Sequence, residues 1–140
     1  MINSSLRLVL DTNILISSIL FPNSIPAQVL RGENEGIILY STDTLTELLS
    51  VLSRDKFSKY IEPKEINGLS ERIKINWYCI SIMQRVNLCR DEKDNKFIDL
   101  ALNGRASYLI TGDNDLLVLH PLGDISILNP RDFWDLINNK

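Results

Sequence analysis

The sequence predicts an α/β protein, a single three-layer α/β/α domain over residues 1–140 with a central parallel sheet. Three observations predict it. Short apolar, β-branched runs alternate with segments of helical period, the pattern of a parallel sheet covered on both faces. The 140 residues are 44% hydrophobic and 24% charged, enough for one core without a disulfide or zinc staple. No internal repeat, low-complexity tract or linker divides the chain.

Each element has its own signal. Leu6–Leu10 is an apolar run stopped by Asp11-Thr12-Asn13 and reads as a buried strand. Ile14 to Leu20 reads as helix, ended by Phe21-Pro22-Asn23, and Pro26 suits the first turn of a short helix to Arg31. Ile37–Tyr40 is a second strand. Ser41 and Thr42 are N-cap residues for a helix from Asp43 to Leu52, with Leu45, Leu48, Leu49 and Leu52 as its core stripe. Arg54 to Tyr60 is a polar, basic connection. Pro63 opens a helix on Ile66, Leu69, Ile73 and Trp77, whose end between 77 and 90 has no sharp signal; Tyr78 to Ile82 loses the helical period and reads as extended. Asp91 to Lys96 is a charged loop before a helix with Phe97, Ile98, Ala101 and Leu102 on one side, closed by Gly104. Tyr108–Ile110 and Ile125–Leu128 are further strands, and Pro130 opens the last helix, to about Ile137.

Composition narrows the function. Fifteen Lys and Arg against eighteen Asp and Glu give a net charge of −3, which argues against a general nucleic-acid-coating module. Any nucleic acid must be held locally, by a metal or a small basic patch. Cys79 and Cys89, with one histidine (His120), supply too few ligands for a zinc site and read as buried thiols in a reducing cytosol. Met1 to Ser5 lacks the basic start and apolar core of a signal peptide, and Ile14–Phe21 is far too short for a membrane span. The expectation is a soluble, cytoplasmic protein with no membrane partner.

The carboxylates carry the chemistry. Ligands of open α/β sheets bind beyond the carboxyl ends of the strands. Asp11 and Asp113 stand at two such ends, although either alone also suits a helix N-cap. Asp94 shares the face of Phe97, Ile98, Ala101 and Leu102, so its carboxylate is aimed at the buried side, where a dipole role does not account for it. Asp99 lies about 140° away around the helix, with Asn95 and Asn103, and reads as a solvated residue. Glu47 lies opposite its helix's leucine stripe, and periodicity leaves it evenly placed between surface and site. If these acids converge, their repulsion calls for a cation, and an all-oxygen cluster suits Mg²⁺ or Mn²⁺ in phosphate chemistry.

Four motifs stand together at this point. They are Asp11-Thr12-Asn13 after a strand, Glu47-Leu48 in a helix, Arg90-Asp91-Glu92-Lys93-Asp94-Asn95-Lys96 before a helix, and Thr111-Gly112-Asp113-Asn114-Asp115-Leu116-Leu117. In order and spacing, from Leu6 to Trp134, they resemble a PIN domain, closest to the prokaryotic branch that forms the toxins of toxin–antitoxin pairs. The resemblance implies a Mg²⁺- or Mn²⁺-dependent endoribonuclease that hydrolyses RNA phosphodiesters by metal-activated water. It places catalysis on Asp11, Glu47, Asp94 and Asp113, and the metal on Asp11, Asp94 and Asp113 with Asp115 as a supplementary acid. Asn13, Ser41 and Thr111 match polar positions near the family's site, suited to hydrogen-bonding the ligands. It also implies a cognate antitoxin and a homodimer, for which Trp77, Tyr78, Ile80 and Ile82 offer an apolar patch.

Other readings fit less well. A haloacid-dehalogenase-like phosphatase needs an acid where Asn13 stands, and a response-regulator receiver needs paired acids at its first strand and a later strand-end lysine. There is neither a glycine-rich phosphate loop nor a G-x-S-x-G elbow. A non-catalytic PIN-like RNA- or protein-binding domain is the rival outside enzymes, and the intact acidic set argues against it. Arg54, Lys56, Lys59 and Lys64, interleaved with Phe57 and Tyr60, read either as a solvated connection or as a strip holding RNA phosphates and stacking a base.

Overall fold

The computed structural model describes residues 6–31 and 36–139; the opening Met1–Ser5 segment lies outside them. Five strands form one parallel sheet: β1 (Arg7–Leu10), β2 (Ile37–Tyr40), β3 (Tyr78–Cys79), β4 (Tyr108–Ile110) and β5 (Ser126–Leu128). Their order across the sheet is β3-β2-β1-β4-β5. The chain builds outward from β1 in one direction and then returns to its other side. That makes the β1/β4 boundary the topological switch point. Leu10 is in register with Ile110 there, so the residues after both strands emerge side by side.

Strand alternation divides the core. Leu8 and Leu10 face one cluster with Ile110 and Phe133, and Val9 faces the other with Leu109, Phe97 and Ile98. On the first face lie α1 (Thr12–Leu20), α2 (Ile25–Leu30), α3 (Thr42–Leu52), α4 (Pro63–Asn76) and α7 (Pro130–Asn138). On the second lie α5 (Asn95–Asn103) and the short α6 (Asn114–Leu117). Phe133, Leu8, Leu48 and Ile98 are fully buried, each contributing about 1.5–3 kcal/mol by leaving water.

The departures from the sequence reading are local. The basic connection contains a 3-10 turn, Asp55–Phe57, and another, Glu92–Asp94, leads directly into α5. After β4 the chain leaves the sheet at Thr111, and Asp113 caps the short helix α6, for which the sequence reading had no element. The extended part of 78–82 is only the two-residue edge strand β3. The apolar patch is divided: Trp77 packs on the first core cluster and Ile80 on the second, leaving Tyr78 exposed. Cys79 is exposed and only Cys89 is buried.

Asp99 is a correction. It is buried, not solvated: its Oδ1 accepts from the Val86 N–H at 2.7 Å, and its Oδ2 lies 3.6 Å from Arg85. Helical periodicity assigned that face to water because it could not show that residues 80–90 run along it. Asn103 accepts from the Met83 and Gln84 N–H groups, and Asn95 accepts from that of Cys89. Three polar side chains of α5 thus satisfy the backbone of an otherwise irregular segment.

Candidate active site

Asp11 is the first residue beyond β1, where its extended backbone caps α1 and its Oδ1 accepts from the Ile14 N–H at 2.9 Å. Its Oδ2 accepts a short hydrogen bond from the Thr111 hydroxyl, contributed by the end of the neighbouring β4. Thr111 in turn accepts from the Asp113 N–H at 3.0 Å. One buried hydroxyl therefore ties the ends of both strands together and sets the spacing of two acids. Asp113 caps α6 by accepting from the Asp115 N–H at 2.9 Å. Both aspartates are helix caps, and capping leaves each of them lone pairs for a further ligand.

Asp94 stands at the start of α5 and faces these acids. Burial pushes its pKa up to about 7, aided by a hydrogen bond to Asp113 and by the charges of Asp113, Asp91 and Asp11. Asp11 is also raised, mainly by burial; the Thr111 and Ile14 hydrogen bonds pull it down, and Asp113 and Glu47 push it up. Burial is the main cause of both shifts, and the neighbouring acids add to it.

Glu47 projects from α3 into the same cleft. Its Oε2 accepts from the Thr12 hydroxyl and its Oε1 pairs with Lys96 Nζ at 2.5 Å. The cleft, about 290 Å³ and open to solvent, brings together Asp11, Asn13, Glu47, Asp94 and Asp113. Arg54, Lys56 and Phe57 from the basic connection also line it, so that strip is part of the cleft wall. Lys59 instead lies over the Tyr60 ring at 5.3 Å, and Lys64 sits exposed in the first turn of α4. Ser41 caps α3 by accepting from the Thr44 N–H at 3.2 Å, a local role.

The sequence reading left Asp91, Lys93 and Lys96 unassigned. Asp91 and Lys93 line the cleft, and Asp91, Asp94 and Asp115 each offer an oxygen within 4.8 Å of one another. Asp115 is held at the margin by Arg90, Nε to Oδ1 3.1 Å. Cys89 lies beneath, its Sγ 3.3 Å from the Asp115 carbonyl oxygen; burial and the neighbouring acids Asp94, Asp115 and Asp113 raise its thiol, against a backbone hydrogen bond from Asp91. The one available signal was density: Asp91 to Lys96 alternates acid and base more tightly than any other stretch. The donor set fits a hard divalent cation, being all oxygen, partly buried and short of positive charge.

Comparison with known proteins bears on the family and the fold. The chain is 35% identical over 118 residues to the uncharacterized protein MJ1680 of Methanocaldococcus jannaschii, covering 81% of this chain and 75% of that one. Its fold is similar to that in the crystal structure of VapBC2 from Rickettsia felis bound to a DNA fragment from their promoter. That match has a TM-score of 0.60 and 14% identity, and covers 89% of this chain and 98% of the other. It is also similar to PAE2754 from Pyrobaculum aerophilum, with a TM-score of 0.60 and 10% identity over 97% and 92% of the two chains. Residues 7–115, which span every acid of the cleft, match the PIN domain. The chain belongs to the PIN-domain family, a family of nucleases.

Proposed function

We propose that the protein is a divalent-metal-dependent endoribonuclease, the toxin of a toxin–antitoxin pair. The observation that carries this reading is the meeting of Asp11, Glu47, Asp94 and Asp113 in one cleft at the switch point of the sheet. Asp11, Asp94 and Asp113 would hold Mg²⁺ or Mn²⁺, with Asp115 at the margin. A bound divalent ion lowers the pKa of water and offsets charge on the oxygens of a phosphodiester. The chain's own residues supply the rest. Thr111 keeps Asp11 and Asp113 at fixed spacing, and Thr12 orients Glu47. Arg54, Lys56 and Lys93 give the cleft cations for backbone phosphates, and Phe57 offers a ring on which an unpaired base can stack.

The antitoxin rests on the resemblance of the four acidic motifs to toxin-type PIN domains, and VapBC2 supports it as a fold neighbour. A homodimer is expected on the same ground. Among the described residues no helix is long and apolar enough to cross a membrane, in keeping with a cytoplasmic enzyme.

The test incubates purified protein with labelled single-stranded RNA in Mn²⁺, in Mg²⁺ and in chelator, alongside Asp11→Asn. Cleavage that requires the metal and is lost in the variant is expected. Binding without cleavage by the wild type in either metal would leave a non-catalytic RNA-binding domain. Reversing charge at Arg54 and Lys56 should weaken RNA binding and flatten its salt dependence while leaving Mn²⁺ affinity nearly unchanged.

A further inference from the structure

Arg90 pairs with Asp115 at the exposed margin, and inside the cleft Glu47 has a cation of its own. Lys96 stands two residues after Asp94 in the first turn of α5, and its Nζ lies 2.5 Å from Glu47 Oε1. Both side chains are about three-quarters shielded from solvent, at 23% and 26% exposure. The second oxygen of Glu47 accepts from the Thr12 hydroxyl, so both carboxylate oxygens are engaged, one of them by a cation. A lysine so placed, on the helix that carries Asp94 and paired to the acid on α3, links the two walls of the cleft.

We infer that Lys96 is the resident counter-ion of the acidic cleft, holding Glu47 in the metal-free protein and competing with a divalent cation for it. This rests on the proposal that the acids bind a divalent ion. Half-buried like charges need neutralising, and an ammonium supplies one positive charge where the ion supplies two. Lys96 is thus a positioning residue. It keeps Glu47 on the cleft side of α3 when no ion is bound and makes ion binding an exchange of partners. Among the described residues no ion pair holds Asp11, Asp94 or Asp113, which are the acids left to the ion.

The inference is tested without RNA, by calorimetric titration of Mn²⁺ into the wild type, Lys96→Met and Lys96→Arg. Lys96→Met should bind Mn²⁺ about threefold tighter or more, the scale of one unit charge acting through hydrated protein. Lys96→Arg should stay near the wild type. A second measurement uses the wild type alone: reductive methylation with and without Mn²⁺, read by peptide mass spectrometry. Labelling of Lys96 should rise with Mn²⁺, while that of Lys74, on the remote helix α4, should not. Unchanged or weaker Mn²⁺ binding by Lys96→Met, or Lys96 labelling indifferent to Mn²⁺, overturns the counter-ion role and leaves the metal site standing. A wild type that binds no Mn²⁺ overturns both.

Discussion

At the scale of the residue, Asp94 concentrates the electrostatics of the site. An acid whose folded pKa is about 7, against 3.8 for the free side chain, holds its proton in the native state while the unfolded chain has lost it. Between about pH 4 and pH 7 the folded state therefore binds more protons, and metal-free stability falls as pH rises. Below that window the group is neutral in both states, and above it the full penalty is present. Asp94→Asn should remove this slope and stabilise the metal-free protein at pH 8 by roughly 1 kcal/mol after solvent screening. It should also cut Mn²⁺-dependent cleavage by about 10²-fold or more, the scale of a lost electrostatic stabiliser. Thermal melts at pH 5 and pH 8 with a cleavage assay check both; a variant that cleaves like the wild type would remove Asp94 from the site. Asp99 behaves otherwise. Asp99→Ala leaves the Val86 N–H without its acceptor and should cost about 1–2 kcal/mol by denaturant titration, with Mn²⁺ affinity retained.

At the scale of the element, α3 and α5 show how capping and packing place the acids. Ser41 and Thr44 cap α3 reciprocally through side chain and backbone, which fixes where the helix begins and hence where Glu47 points. Ser41→Ala should lose about 1 kcal/mol of stability in urea melts while keeping Mn²⁺ affinity. A large loss of Mn²⁺ affinity there would return Ser41 to the site. At the other end of α5, Gly104 is closely covered. A Cβ there would meet Leu39 Cδ1 at 2.7 Å and the Leu100 carbonyl oxygen at 2.9 Å, and the Gly104 carbonyl accepts from Arg7 Nε at 2.8 Å. Gly104→Ala should destabilise by about 1–3 kcal/mol, by the overpacking of helix against sheet. A melting temperature equal to the wild type would show that α5 shifts freely.

At the scale of the whole molecule, the β3-β2-β1-β4-β5 order sets Asp11 and Thr111 side by side although they are 100 residues apart. The acids so gathered destabilise the fold when unneutralised, and a ligand that binds only the folded state stabilises it by linkage. Millimolar Mn²⁺ should raise the melting temperature of the wild type by a few degrees, about 1–2 kcal/mol in a chain of this size, and leave Asp11→Asn nearly unmoved. Scanning calorimetry with Mn²⁺, Mg²⁺ and chelator makes the comparison. A wild-type curve indifferent to both ions would count against the site.

The sequence by itself determined the layered α/β architecture and most element positions, because strand runs and helix stripes are local patterns written in hydrophobic spacing. It also determined the family, through acids at strand ends and a helix start whose order survives along the chain. Glu47 shows where it stopped. Periodicity measures which face of a helix meets the core, and a cleft beyond the carboxyl ends of the central strands is neither core nor bulk water. Asp99 fell on the wrong side for a related reason: what covers a polar face can be an irregular segment with no period at all. Only the tertiary structure decided that β4 returns beside β1, that one threonine ties their ends, and that Arg54, Lys56 and Phe57 wall the cleft while Lys59 does not. It alone paired Lys96 with Glu47, since two side chains on separate helices meet by packing, which spacing along one helix cannot encode.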